Sequence, residues 1–229
     1  MKTYSTILFD ADDTLLDFHR DEHDALVSTF ERCHLPAEEA VINAYSAINA
    51  ALWREHEKGN ITKEDIKNIR FSELFKKIKV NSKYTPRQVN DIYAEYLCEG
   101  SAVVSGAYEV CRKLSEKYEM YIVTNGIEIT QKSRLARSGF DKLMQGLFIS
   151  ESIGLQKPSS KFFDYVFEHI NEKDKTKVIL VGDSLSSDIK GALTAGIDCV
   201  WLNKNHIENN SGLEPTYEIG DIREIIKIL

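Results

Sequence analysis

The chain has 229 residues, with 29 Lys and Arg against 36 Asp and Glu, and a formal charge of -7 at neutral pH. That length holds one large domain or a domain with a smaller insert, and the acidic balance argues against nucleic-acid binding, because a phosphate backbone demands a basic face. No apolar run approaches the roughly 18 residues of a membrane span. The N-terminus lacks the apolar stretch of a signal peptide, and Cys33, Cys98, Cys111 and Cys199 show no Cys-x-x-Cys spacing, so buried thiols in a cytoplasmic protein are expected.

The first predicted element is the β-rich run Thr6–Phe9, which stops at Asp10. From about residue 16 to 98 the strand signal all but disappears, and helix formers dominate Glu22–Cys33, Ala37–Lys58, Lys63–Ile78 and Pro86–Leu97. A connection between a strand and the next helix usually takes about 2–6 residues, so this stretch reads as a helical insert. Beyond it, strand and helix alternate. A helix over Tyr108–Lys117 precedes the strand Met120–Val123, which ends in Thr124-Asn125-Gly126. The helix Ile129–Arg137, a weaker strand at Gly146–Ile149 and the helix Ser160–Asn171 follow. The strand Val178–Val181 ends in Gly182-Asp183, the helix Ser187–Ala195 is closed by Gly196, and Cys199–Leu202 is a second weaker strand before a polar loop over residues 205–215. Near-continuous apolar strands alternating with helices predict an open parallel α/β sheet of Rossmann type covered on both faces. The expected division is a core of residues 1–16 and 99–229 and a helical domain of residues 17–98.

Ligands of open α/β sheets bind beyond the carboxyl ends of the strands, and here each strong strand ends in a chemically useful residue. Asp10 and Asp12 place two carboxylates at one mouth, where one could attack phosphorus and the other carry a proton to or from the leaving oxygen; an acidic turn reads the same way locally. Thr124 and Asn125, with the backbone N–H groups of their turn, suit phosphate oxygens, as a plain polar turn also would. Lys157 could neutralise charge on a phosphoryl group in transfer, although most lysines are simply solvated. Asp183 and Asp188 are hard oxygen ligands suited to Mg²⁺; alternatively Asp188 or Ser187 caps the next helix. Convergence of all four at one edge favours the metal-assisted reading.

In this order the motifs Asp10-Ala11-Asp12-Asp13-Thr14, Thr124, Lys157 and Gly182-Asp183 through Asp188 resemble those of the haloacid dehalogenase superfamily of phosphatases. The resemblance implies that Asp10 is the nucleophile and a Mg²⁺ ligand, and that Asp12 is general acid and then base with its main-chain carbonyl on the metal. It further implies that Thr124 and Lys157 bind the phosphoryl group, that Asp183 is a direct metal ligand with Asp188 in support, and that the helical insert is a mobile cap. Leu52-Trp53 through Gly59-Asn60-Ile61 to Arg70-Phe71 and Phe148-Ile149-Ser150-Glu151 resemble the YjjG-like pyrimidine 5′-nucleotidase subfamily, which implies a nucleoside monophosphate as substrate. Trp53 and Phe71 could then stack on a base and Arg70 pair with its polar edge; aromatics at helical spacing equally describe a packed core.

A sugar-phosphate phosphatase and a phosphomutase share every core residue named above, whereas a dehalogenase needs neither Asp12 nor a metal. A non-catalytic phosphate-binding protein is the reading from another class. His19-Arg20-Asp21-Glu22-His23 also fits the H-x-x-E-H pattern of zinc peptidases, but its polar setting directly after the first motif reads as a solvated helix start.

Overall fold

The computed structural model describes residues 3–229, which form two compact units. One consists of the chain up to Asp17 and from Ser101 onward; the other is Phe18–Gly100. The boundaries fall slightly later than residues 17 and 98. Asp17 N donates to Ala102 O at 2.9 Å, which ties it to the sheet unit, and the fourth helix of the insert runs on to Glu99.

In chain order the elements are β1 (Thr6–Phe9), the insert helices α1 (Phe18–Cys33), α2 (Glu39–Glu57), α3 (Lys63–Ile78) and α4 (Pro86–Glu99), then α5 (Ala107–Leu114), β2 (Glu119–Thr124) and α6 (Glu128–Ser138). They continue with β3 (Gly146–Ile149), α7 (Ser150–Ile153), α8 (Ser160–His169), β4 (Val178–Gly182), α9 (Lys190–Ala195), β5 (Asp198–Leu202) and β6 (Tyr217–Ile219). The six strands form one parallel sheet in the order β3-β2-β1-β4-β5-β6. The central β1 is in register with both neighbours: Phe9 lies opposite Ile122 of β2 and Val181 of β4. This alignment brings the ends of β1, β2 and β4 to one edge. Both faces are covered, as a parallel sheet requires. Ile7 and Phe9 pack into one apolar layer with Ile122, Ile179 and Val181, while Leu8 points into the other with Val123, Leu180, Phe162 and Phe163.

Two departures from the sequence expectation bear on the sheet and its carboxyl edge. Tyr217–Ile219 is an edge strand within a polar segment; only Ile219 is buried, so a three-residue strand carries too little apolar signal to be read. The expected helix Ser187–Ala195 begins earlier, as a π-helical turn over Leu185–Ile189, in which Ile189 N donates to Ser184 O at 3.1 Å. Such wide turns recur at functional sites, and this one carries Asp188.

In the helical unit, α1 packs on α4, and α3 packs on both α2 and α4. Two helices start on capping boxes: Thr62 with Asp65, and Thr85 with Gln88 followed by Pro86. The apolar core is built by Leu26, Phe30, Tyr45, Phe71, Leu74 and Tyr93. Phe71 therefore differs from its expected stacking role: it is wholly buried, with ring centroids 4.7 Å from Tyr45 and 5.7 Å from Tyr93. Arg70 is likewise buried, its Nε donating to Asn90 Oδ1 at 2.8 Å and its guanidinium 4.7 Å from the Tyr93 ring. Trp53 is half-buried, edge-on to His56. The H-x-x-E-H residues hold no metal arrangement: Glu22 turns inward to accept from Ser46 and Asn49, and His23 pairs with Glu39.

None of the four cysteines forms a disulfide, and Cys33, Cys111 and Cys199 are buried. Among the described residues no helix is long and apolar enough to cross a membrane. Because Phe71 fills the core of its unit, Phe71→Ala is expected to cost about 3–5 kcal/mol by lost transfer energy and a residual cavity. Phe71→Leu should cost less than about 1.5 kcal/mol. Urea unfolding followed by circular dichroism measures both, and equal small losses would contradict the packing role.

Candidate active site

Strand register alone crowds three carboxylates together. Asp10 follows β1, its N–H donating to Val181 O of β4 at 2.9 Å. Asp183 follows β4, and the π-helical turn swings Asp188 back toward the same edge. Oxygen atoms of Asp10, Asp183 and Asp188 all lie within 4.8 Å of one another. Among the described residues this is the sole cluster of three or more His, Cys, Asp or Glu side chains that could hold a metal ion. A Cβ on Gly182 would lie 2.4 Å from Asp188 Cγ, so glycine is what lets that carboxylate lie against the end of β4.

Like charges at this spacing repel, and the sheet answers with a buried cation. Lys157 is 1% exposed and donates all three ammonium hydrogens: to Asp10 Oδ1 at 2.6 Å, to Asp188 Oδ1 at 2.6 Å and to Val123 O at 2.7 Å. Burial by itself would lower the Lys157 pKa, but Asp10 and Asp188 outweigh it and hold the ammonium above its usual range. In this arrangement Lys157 grips carboxylates; a phosphoryl oxygen would have to take over one of those hydrogens. Asp188 is completed by Ser184 N, which donates to Oδ2 at 3.1 Å.

Burial pushes the Asp10 carboxyl well above the ordinary range, with Lys157 opposing and Asp188, Asp183 and Asp12 adding to the rise. Asp183 is pushed up to about 8, first by burial and then by Asp188 and Asp13. Its side chain accepts from Thr14 Oγ1 at 3.3 Å, and its main-chain carbonyl accepts from Trp201 Nε1 at 2.8 Å. Hard oxygen donors that resist joint ionisation are what a small divalent cation relieves.

Asp12 stands apart from the cluster. It faces α6, where Arg134 Nη1 donates to Oδ1 and Gln131 Nε2 donates to Oδ2 at 2.8 Å. Gln131 Nε2 also donates to Thr124 Oγ1 at 2.8 Å, and Gly126 N donates to the same hydroxyl at 3.1 Å. With both acceptor positions filled, the Thr124 hydroxyl has only its own hydrogen left to offer. Asn125 takes another part than the expected phosphate contact. Its Oδ1 accepts from Lys157 N at 2.9 Å, and its Nδ2 donates to Lys157 O at 2.9 Å and Ser187 Oγ at 3.3 Å. The amide thus pins the Lys157 backbone to the loop after β2 and leaves no side-chain donor over.

Sequence reading had no hold on Gln131 and Arg134. Their only local signal is the three-residue spacing that puts both on one face of α6.

The family model described as haloacid dehalogenase-like hydrolase matches residues 4–196. The chain is 38% identical to the HAD-hydrolase YfnB of Bacillus subtilis (strain 168), over 100% of this chain and 97% of that protein. It is 36% identical to the pyrimidine 5′-nucleotidase PynA of Streptococcus pneumoniae, over 99% and 95% of the two chains. Against the pyrimidine 5′-nucleotidase YjjG of Escherichia coli the figures are 31% identity over 97% and 96%. The crystal structure of YfnB bound to magnesium matches with a TM-score of 0.94, covering 100% of this chain and 99% of that one.

The raised carboxyl values set a pH dependence. A group whose pKa is higher in the folded than in the unfolded chain contributes stability that is lost as pH rises through the folded value. For Asp183 the window runs from about 4, the unfolded value, to about 8. In the presence of a chelator, unfolding free energy should therefore fall across this range, at up to about 1.4 kcal/mol per pH unit for one proton, and melting temperature should fall with it. Asp183→Asn should flatten much of the fall, and Mg²⁺ at pH 8 should recover stability in the unsubstituted protein. Identical profiles for the two proteins would contradict the assignment.

Proposed function

The chain belongs to the haloacid dehalogenase-like hydrolases, and from that premise we propose that it is a Mg²⁺-dependent 5′-nucleotidase that transfers the phosphoryl group of pyrimidine nucleoside monophosphates to Asp10 and then to water. The observation that carries the chemistry is the pairing of Asp10 Oδ1 with Lys157 inside the carboxylate cluster. It supports a nucleophile that is oriented, with Oδ2 as the oxygen Lys157 does not engage. The substrate class rests on similarity to two pyrimidine 5′-nucleotidases over nearly the whole chain, helical insert included.

Each step follows from groups at the ends of β1, β2 and β4. Asp10 attacks phosphorus, the bond from phosphorus to the nucleoside 5′-oxygen breaks, and Asp12 supplies a proton to that oxygen. Water then attacks the phosphoryl group on Asp10, giving its proton to Asp12 and releasing phosphate with the Asp10 carboxylate restored. Thr124 donates its hydroxyl hydrogen to a phosphoryl oxygen, and Lys157 keeps Asp10 and Asp188 close without mutual repulsion. Asp10, Asp183 and Asp188, with the Asp12 main-chain carbonyl, would hold Mg²⁺, which would supply positive charge to offset that of the phosphoryl oxygens and the carboxylates.

Base selection is assigned to the helical unit. Of the three residues first considered there, Arg70 and Phe71 are committed to its interior, so Trp53 carries the stacking proposal.

Phosphate release from UMP, dUMP, dTMP, AMP, glucose 6-phosphate and β-glucose 1-phosphate, with and without Mg²⁺, tests the reading. Metal-dependent release that favours the pyrimidine nucleotides and falls by at least about 10³-fold in Asp10→Asn is expected. Preference for the sugar phosphates would keep the chemistry and overturn the substrate. Release that persists in Asp10→Asn, or without metal, would overturn the mechanism.

A further inference from the structure

Asp12 has to move a proton, yet nothing on β1 itself orients its side chain. The donors come from α6. Arg134 is fully buried, and its Nη1 donates to Asp12 Oδ1, while the Asp12 side chain is 30% exposed. Gln131, 1% exposed, donates from Nε2 to Asp12 Oδ2 at 2.8 Å and to Thr124 Oγ1 at 2.8 Å. Arg134 Nη1 also donates to Gln131 Oε1 at 3.4 Å, so the two clamp residues brace each other. Gly126 leaves the space Gln131 needs: a Cβ there would lie 2.6 Å from Gln131 Cγ, Cδ and Nε2.

Three features set this apart from an ordinary ion pair. A guanidinium taken wholly out of water is costly unless its partner is fixed, and here the partner is a residue that opens toward solvent. Each Asp12 oxygen receives its own donor, which removes rotation about the carboxylate axis as well as translation. A single amide nitrogen links the proton carrier to the residue that receives the phosphoryl oxygen. We infer that Arg134, with Gln131 beside it, is a positioning residue that holds the Asp12 carboxyl group at the place where the ester oxygen leaves. The inference deepens the phosphomonoesterase reading and rests on it.

The chemistry provides a readout that a purely structural role would not move. A nucleoside 5′-alkoxide is a poor leaving group and needs a proton as its bond to phosphorus breaks, whereas 4-nitrophenolate leaves without one. Misplacing Asp12 must therefore slow the first step for UMP far more than for 4-nitrophenyl phosphate. The experiment is single-turnover release of the leaving group from each substrate, in Mg²⁺, by wild type, Arg134→Met, Arg134→Lys and Gln131→Met, with melting curves for each.

Arg134→Met is expected to slow UMP cleavage by at least about 30-fold, a part of the roughly 10²–10⁴-fold that general acid catalysis contributes, and 4-nitrophenyl phosphate cleavage by less than about 5-fold. Apparent substrate affinity should stay within about 3-fold, since the clamp touches no substrate atom. Arg134→Lys should recover part of the UMP rate, because it restores the charge without the planar donor pair. Gln131→Met, nearly isosteric and uncharged, removes a donor from both Asp12 and Thr124, so it should slow both esters but UMP by several-fold more, and that difference decides the matter if Arg134→Met does not fold. Equal losses on both substrates, or none, would overturn the positioning role while leaving the phosphatase reading intact. Failure of the wild type to cleave either ester would bring down that reading and this inference together.

Discussion

Charge balance at the carboxyl edge of the sheet governs the site. Parallel pairing of β1 with β4 brings Asp10 and Asp183 to one level, and the wide turn after β4 adds Asp188, so that oxygens of all three lie within 4.8 Å of one another. Three carboxylates so close in a covered setting cannot all ionise freely. Lys157 spends its three hydrogens on Asp10, Asp188 and the Val123 carbonyl, and Asn125 clamps the Lys157 backbone at both polar atoms. Remaining negative charge is what a divalent cation and a phosphoryl group with its metal would share. The elevated carboxyl of Asp183 and the buried ammonium of Lys157 are two faces of this single constraint.

Asp12 is kept out of that cluster. Asp12 lies two residues beyond Asp10, yet its oxygens are occupied by Arg134 and Gln131 of α6. The site therefore has two electrostatic compartments. One concentrates the negative charge of Asp10, Asp183 and Asp188; the other places the Asp12 carboxyl beside the fixed donors of Arg134 and Gln131. Thr124 joins them, with its hydroxyl oriented by Gln131 and the Gly126 backbone.

Much of this was legible in the sequence because buried parallel strands read as short apolar runs that end abruptly, and the residue after each run is where such sheets place their chemistry. Asp10, Thr124 and Asp183 followed from that rule, and the long helix-rich stretch separated itself by the absence of strand signal. Residues one or two turns into a following helix have no comparable marker. Gln131 and Arg134 sit in the polar segment Glu128–Ser138, where nothing local distinguishes a buried guanidinium from a solvated one. Phe71 failed for the complementary reason: helical spacing of aromatics describes a core face and a ligand face equally well. The bridge from Asn125 to the Lys157 backbone had no signal, since a side chain that joins two distant loops cannot be seen before the fold brings them together. Tyr217–Ile219 escaped because an edge strand buries one side chain only.

Trapping the covalent intermediate tests the central claim most directly. A brief reaction with labelled substrate in Mg²⁺, quenched in acid, reduced with borohydride and digested, should yield one modified peptide in which the side chain at position 10 has become that of homoserine. The same treatment of Asp10→Asn should yield none. Modification at another residue, or rapid phosphate release with no modified peptide at any quench time, would contradict Asp10 as the nucleophile and with it the reading of the carboxylate cluster.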